Sequence, residues 1–568
     1  MFCLLQKSVK KYNYLARLAA QTLILAGVGA GLPAWSAGEA VVSTSHPLAT
    51  QAGIAVLKAG GNAIDAAAAI QFALNVVEPQ SSGIGGGAFL LVHLAGSGET
   101  LVLDARETAP AAATPDQFAA RGFRENSISG LAVGVPGTLA GFQEAQQRWG
   151  RQTLTQVLQP AIALARDGFA VTPYLAQALR SPRAALQPET RALFRHPDGR
   201  PLQVGDWLRQ PDLARTFTLI ATQGPAAFYQ GAMAQAIVTA QQRAGPDPAS
   251  VGRMTLEDLA HYRPVVRKPL VGHYRGATIL TMPPPSSGGV ALLQSLAALE
   301  RFPLGSVPDW QALSPNAVHV TIEALRLAMA DRARWVGDPA ATAVPLDQLL
   351  SGTMLAARSR MIDPHHRLSL PLAPEAVEGP HTTHFTVVDR DGNVVSCTST
   401  VENLWGSGIL VPGYGFLLNN ELTDFNRVPQ AGPGDPGAND VRPGMRPRSS
   451  MAPTLVLREE GGWFAYGSPG GPTIISSVLE MTQDLLDDRL PGMEAVRLPR
   501  YAVLDAAGST IVEPAVPEGL VAALKESGDR LQRSERPIGS VQLVGEDPVT
   551  HDRWGVADPR RDGMAIRF

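Results

Sequence analysis

Apolar positions recur at helical spacing from about Pro47 to Lys58 and again from about Asn62 to Val77, which predicts two helices near the start of the chain. Gly60 and Gly61 end the first, and Pro79 follows the second. The stretch "AIDAAAAIQFAL" is small on most faces and suits close packing on a sheet. The period then falls to two: "AFLLVHLAGSGETLVLDAR" alternates, turns at "GSGE" and alternates again, the pattern of a hairpin. From about 150 to 340 helical spacing dominates, and "SPNAVHVTIEALRLAMADRARW" carries the clearest start signal, with Ser314 as N-cap and Pro315 at the first helical position. After 382 strands return as two more hairpins, "HFTVVD" and "VVSCTST" about "RDGN", then "PTLVLR" and "WFAYGS" about "EEGG". Helices, hairpins and helices again predict an α+β fold of layered sheets with helices on both outer faces.

Composition narrows the class. The 568 residues are 45 % hydrophobic and 17 % charged, which fits a sizeable core and excludes a disordered chain. Apart from the first forty residues and a Pro/Gly-rich patch near 430 the composition is even, so one large core or two closely joined segments are expected. A formal charge of −3 offers no nucleic-acid or anionic-membrane surface.

The N-terminus has the features of a secretory signal: Lys7, Lys10, Lys11 and Arg17 with no acid nearby, an apolar run to Trp35, and small residues from Ser36 to Gly38. Removing those four cations takes the charge from −3 to −7. An uncleaved anchor is the competing reading, against which Gly and Pro interrupt the run and no second apolar span follows. A periplasmic or secreted protein without stable membrane association is expected. The only cysteines are Cys3, which leaves with the signal, and Cys397, expected as a packed and inert thiol within a strand.

Several short motifs carry chemistry. "GIGGGA" at 83–88 meets the loose dinucleotide fingerprint, but the order is helix then strand, the reverse of what that motif needs, so a close backbone approach is expected instead. Walker, nucleophile-elbow and HExxH motifs are lacking. The adjacent histidines of "DPHHR" point apart on any regular element and fit a solvated loop. In "YGSPGGPTIISSVLEMTQDLL" a strand ends near Ser468 and a helix begins at Pro472, so the Gly470 and Gly471 amides sit where an anion or oxyanion could bind. An ordinary strand-to-helix turn has the same pattern and is what that stretch favours alone.

"RPRSSMAPT" supplies two hydroxyls, and "LLNNELTDF" supplies Asn419, Asn420, Glu421 and Asp424. Hydroxyls suit a carboxylate and acids an ammonium, so together they fit an amino acid backbone, while each alone fits a turn or cap. In "EGPHTTHFTVVDRDGNVVS" two threonines head a strand after a Pro-rich connector. A threonine hydroxyl needs a base, and a chain break before Thr382 would supply one in its own α-amine, of pKa near ~8. A surface loop entering a hairpin remains the alternative on spacing alone.

From about 39 to 568 the chain closely resembles the γ-glutamyltranspeptidases, a family of N-terminal nucleophile hydrolases. The resemblance rests on collinear blocks: "PLATQAGIAVLKAGGNAIDAA", "SSGIGGGAF", "DARETAP", "GVPG", "PPPSSGG", "TTHFTVVDRDGNVVS", "GFLLNNELTDF", "RPRSSM" and "GSPGG". It implies a four-layer αββα sandwich and a precursor that cuts itself at the His381–Thr382 bond. Residues 1–37 would be the signal, 38–381 a large subunit and 382–568 a small catalytic subunit that stay together as a heterodimer. Thr382 would be the nucleophile, Thr400 its supporting threonine, and Gly470 and Gly471 the oxyanion donors, which reverses the preference stated for that turn. Arg106 with Ser449 and Ser450 would clamp the donor's α-carboxylate. Glu402, Glu421 and Asp424 would hold its α-ammonium, with Asn403 adjacent.

The implied donors are glutathione and other γ-glutamyl compounds, and the implied acceptors are water, amino acids or dipeptides; no metal or organic cofactor is implied. Two departures stand out: His381, where a small or amide residue is more usual, and the short segment between Phe425 and Arg446, which lacks a lid-loop aromatic residue and resembles the open, lidless bacterial type. Two rivals remain. One is a glutaryl-cephalosporin acylase on the same fold, in which three acids would lack their cation. The other is a non-catalytic glutamyl-peptide binder whose Thr382 is never freed.

Overall fold

Two antiparallel sheets stack face to face, and small hydroxyl side chains on the facing sides let them approach. The computed structural model describes residues 38–242, 250–370 and 381–568; the expected signal at 1–37 and most of the connector before Thr382 lie outside the described residues. The seven-stranded sheet runs in the order Met564–Arg567, Val41–Thr44, Thr382–Val388, Val394–Thr400, Gly87–Leu94, Glu99–Ala105 and Val265–Arg267. The six-stranded sheet runs Arg553–Ala557, Gln542–Glu546, Trp463–Gly467, Thr454–Leu457, Ala277–Thr281 and Leu270–Tyr274. Each sheet takes strands from both sides of residue 382, so a cut there would leave the two pieces interleaved.

All three expected hairpins form, with Ala88 opposite Ala105, Val394 opposite Val388 and Thr454 opposite Tyr466. Helices Pro47–Lys58 and Ala63–Val77 cover the seven-stranded sheet. Gly288–Leu299 and Thr473–Leu486 cover the other, with Pro315–Trp335 packed on the first of these. The result is the four-layer αββα arrangement. Asn62 caps the second helix rather than joining it, its Oδ1 accepting from the Ile64 and Asp65 amides at 3.1 Å each. Ser314 caps its helix as expected, accepting from the Ala317 amide at 3.4 Å. Pro472 stands just before Thr473–Leu486, one position earlier than expected.

Alternation along Thr382–Val388 splits its side chains between two environments. Phe385 and Val387 join the apolar core under the helices, together with Cys397 from the neighbouring strand. Burial drives the Cys397 thiol well above its usual pKa, in keeping with a packed, inert group. The opposite face meets the second sheet: Thr386 Oγ1 donates to the Gln542 carbonyl at 3.0 Å, and Ser396 Oγ to the Tyr466 carbonyl at 3.1 Å. His384 lies flat in this layer, 2.9 Å from Thr398 Oγ1, and only glycine fits beneath it, since a Cβ on Gly467 would lie 2.4 Å from its ring. Glycines 85 and 86 make the close approach expected of their loop, where a Cβ would come within 2.1 Å of the Leu417 and Thr400 carbonyl oxygens respectively. His365 and His366 lie exposed in a loop.

Candidate active site

Thr382 is the first residue of its strand, and its register partner on the next strand is Thr400. Strand pairing therefore brings together two residues eighteen apart in sequence, with both side chains on one face. Thr400 Oγ1 donates to the carbonyl oxygen of His381 at 3.1 Å and accepts from the Glu402 amide at 2.8 Å. The accepted bond fixes the direction of the hydroxyl hydrogen, which points at the bond before Thr382. The His381 ring is held neutral, its pKa lowered to about 3 by burial and then by Arg561, Arg536 and Arg183.

The glycine turn is delivered by the second sheet. Tyr466 takes the Ser396 hydroxyl and Gly467 lies on His384, so the Trp463–Gly467 strand runs toward the Thr382 end of its neighbour. Gly470 follows at φ 137° and Gly471 at φ 56°, both in the region that favours glycine. Their carbonyls accept from Thr473 and Ile474 at 3.2 and 3.0 Å, while among the described residues neither amide donates to a protein acceptor. Two N–H groups are thus left at a helix N-terminus.

Arg106 lies just beyond the Glu99–Ala105 strand and is fully buried. Its Nη1 pairs with Glu421, its Nη2 donates to Asp424 at 2.5 Å and to the Arg448 carbonyl at 2.9 Å, and its Nε donates to the Pro447 carbonyl at 3.2 Å. Four of its five N–H groups are committed to the protein. Burial opposes its charge, but Glu421, Asp424 and Glu107 outweigh that and raise its pKa. The acids fare differently. Burial pushes Glu107 up to about 8 and Glu421 well above the carboxylate range, despite Arg106, and Asp424 is also raised. Burial is the main cause, and the neighbouring carboxylates add to it for Glu107 and Glu421.

Both carboxyl oxygens of Glu107, Oε2 of Glu421 and Oδ1 of Asp424 are buried with no hydrogen-bond partner among the described residues. Such oxygens call for a donor bearing positive charge. Glu402, at φ 76°, accepts from Asn420 Nδ2 and acts electrostatically on Glu421. Asn403 is held by its backbone, which donates to Asn420 Oδ1 at 3.1 Å. Asn419 is structural, its amide bonded to the Gly85 and Gly134 carbonyls at 2.7 and 2.9 Å.

Ser449 and Ser450 follow the "RPR" segment. Ser449 Oγ accepts from the Met451 amide at 3.1 Å, and Ser450 Oγ accepts from Arg332 Nη2 at 3.1 Å. An oxygen that accepts such a bond turns its own hydrogen away from that donor.

Of the expected residues, Thr382 and Thr400 connect through Glu402, Asn420, Glu421, Arg106 and Asp424 toward the tandem serines, while the contacts of Gly470 and Gly471 lie within their own turn. Sequence reasoning did not single out Glu107, whose place beside Arg106 depends on how the chain leaves the strand after Ala105. Arg332 and Ser287 also went unmarked, for their helices offer no local signal of what lies opposite.

A family model described as gamma-glutamyltranspeptidase matches residues 49–568. The chain is similar to the glutathione hydrolase proenzyme of Bacillus subtilis (strain 168), 41 % identical over 552 residues covering 93 % of this chain and 91 % of that one. It is also similar to the acylase ACY 1 proenzyme of Pseudomonas sp. (strain SE83), 38 % identical over 94 % of each. Among solved structures, cephalosporin acylase from Bacillus halodurans superposes with a TM-score of 0.80 at 30 % identity, over 93 % of this chain and 96 % of that one.

Proposed function

The chain belongs to the γ-glutamyltranspeptidase family, and from that premise we propose that it matures by cutting itself before Thr382 and then transfers γ-glutamyl groups through that residue. It is an enzyme, a glutathione hydrolase and γ-glutamyltransferase.

In the precursor, Thr382 Oγ1 attacks the His381 carbonyl carbon, and the negative charge gathering on that oxygen is met by the Thr400 hydroxyl, 3.1 Å away. Collapse breaks the His381–Thr382 C–N bond as the proton given up by the Thr382 hydroxyl passes to the departing nitrogen, leaving His381 esterified to Thr382 Oγ1 and the Thr382 amine free. Water then releases the ester, giving chains 38–381 and 382–568 held together by shared sheets. Export to the periplasm or cell exterior, with loss of residues 1–37, belongs to the same reading. None of the helices among the described residues is long and apolar enough to cross a membrane.

In turnover the α-amine takes the Thr382 hydroxyl proton as the oxygen attacks the donor's γ-carbonyl. The Gly470 and Gly471 amides receive the oxyanion, and the protonated amine passes its proton to the departing amine, cysteinylglycine when glutathione is the donor. Water, an amino acid or a dipeptide then takes the γ-glutamyl group from the Thr382 ester.

The observation that carries the donor assignment is the set of buried carboxyl oxygens on Glu107, Glu421 and Asp424 that lack hydrogen-bond partners. An α-ammonium brings three N–H donors and one positive charge, whereas a glutaryl group brings neither. The likeness to an acylase favours a second reading, glutaryl side-chain hydrolysis at the same nucleophile. Anilide release from γ-glutamyl and glutaryl anilides by purified protein, with Thr382→Ala as blank, separates the two. A strong γ-glutamyl preference is expected; equal or better glutaryl turnover would replace the assignment. Denaturing mass analysis should show two chains, and one uncut, inactive chain would support a binder instead.

A further inference from the structure

Arg106 cannot by itself grip a carboxylate with both ends of its guanidinium, because four of its five N–H groups are held by Glu421, Asp424 and two backbone carbonyls. A second cation stands nearby. Arg332, in the last turn of the Pro315–Trp335 helix, is buried, donates Nε to Ser287 Oγ at 2.7 Å and Nη2 to Ser450 Oγ at 3.1 Å.

Those two contacts govern both tandem serines. Ser287 Oγ, accepting from Arg332, passes its hydrogen to the Ser449 carbonyl at 2.7 Å, and its amide donates to the same oxygen at 2.7 Å. Ser286 secures the chain two residues further on, donating to the Met451 carbonyl at 2.6 Å. One guanidinium is therefore bonded to Ser450 directly and linked through Ser287 to the Ser449 carbonyl. Arg448 anchors the helix end beneath it, donating to the Arg332 and Ala333 carbonyls at 3.2 and 3.3 Å. Burial and then Arg448 work against the charge on Arg332, with Asp424 acting in its favour, so an anion close by is welcome.

We propose that Arg332 is a specificity-determining positioning residue: through Ser450 and Ser287 it aims the tandem serines at the donor's α-carboxylate and supplies positive charge behind them. The inference rests on the γ-glutamyl reading given above. Its signature is selective, because a donor without the carboxylate gains nothing from Arg332.

The test compares γ-glutamyl anilide with 4-aminobutyryl anilide, which keeps the amine and reacting carbonyl but lacks the carboxylate, using processed wild-type enzyme, Arg332→Gln and Arg332→Lys. For Arg332→Gln, kcat/KM on γ-glutamyl anilide should fall ~10- to 100-fold, the loss of one charge-assisted hydrogen bond, mostly through KM. The rate on 4-aminobutyryl anilide should stay within about twofold of wild type, and that rate also certifies folding and processing. Arg332→Lys should recover part of the loss. If Arg332→Gln does not accumulate as two chains, Ser287→Ala removes the other anchor and should show the same selective loss more weakly. Equal losses on both donors, or none on either, would overturn the inference while leaving the donor assignment intact. If wild type itself does not distinguish the two anilides, there is no carboxylate subsite, and the donor assignment falls as well.

Discussion

The Thr400 hydroxyl donates to the His381 carbonyl oxygen at 3.1 Å while its own oxygen accepts the Glu402 amide at 2.8 Å. The hydrogen is thereby aimed at the oxygen that would become negative in the proposed attack by Thr382. Thr400→Val keeps the shape and removes the donor, so self-cleavage should slow by about 10² to 10³. Thr400→Ser should restore most of the rate. The fraction of uncut chain, followed by denaturing electrophoresis over time, checks this; cutting at the wild-type rate in Thr400→Val would remove Thr400 from the step.

Gly470 should separate the two reactions. A Cβ there would lie 2.2 Å from Thr473 Oγ1, on a backbone at φ 137° that L residues rarely adopt. Gly470→Ala displaces the amides offered to the donor's oxyanion but leaves Thr400 where it is. Chain cutting should proceed, while kcat for anilide release falls by about a hundredfold with little change in KM. Parallel loss of both reactions would place the glycine turn in maturation too.

His46 gives a pH prediction. Its Nδ1 accepts from the Leu48 amide at 3.2 Å as the N-cap of Pro47–Lys58, and burial lowers its pKa from 6.5 to about 4. The unfolded chain takes up this proton first, so the folded state loses stability as pH falls from about 6.5 toward about 4, by up to ~1.4 kcal/mol per unit. His46→Asn keeps a capping oxygen and does not titrate. Its thermal midpoint should match wild type near pH 7.5 and fall less steeply between pH 6.5 and 4.5. Identical pH profiles would dismiss His46 as a contributor.

Cys397 should be silent in the folded protein. The thiol is buried in the core and its pKa is pushed far up by that burial. A maleimide reagent should label the native enzyme slowly, over hours at neutral pH, and label it fully within minutes in denaturant. Rapid native labelling with loss of activity would make the thiol part of the site.

Much of this was legible in the chain. The hairpins followed from alternation and turn residues, the start of the Pro315–Trp335 helix from Ser314, and the place of Thr382 at a strand head from one quoted stretch. What escaped was the identity of partners. Arg106 was expected beside a ligand carboxylate, and nothing near it in the chain announced that its guanidinium also pairs with Glu421 and Asp424. Glu107 was not singled out, since an acid next to an arginine in the chain carries no local sign that its carboxyl joins a buried cluster.

The sequence by itself determined which segments are helix and strand, which faces are buried and where a self-freeing nucleophile can stand, because those depend on neighbours a few residues away. Only the tertiary structure decided that Arg106 meets Glu421 and that Arg332 meets Ser450. A buried charge must find its counterpart wherever the sheets deliver one, and the delivery depends on strand order and sheet stacking, which no local pattern encodes.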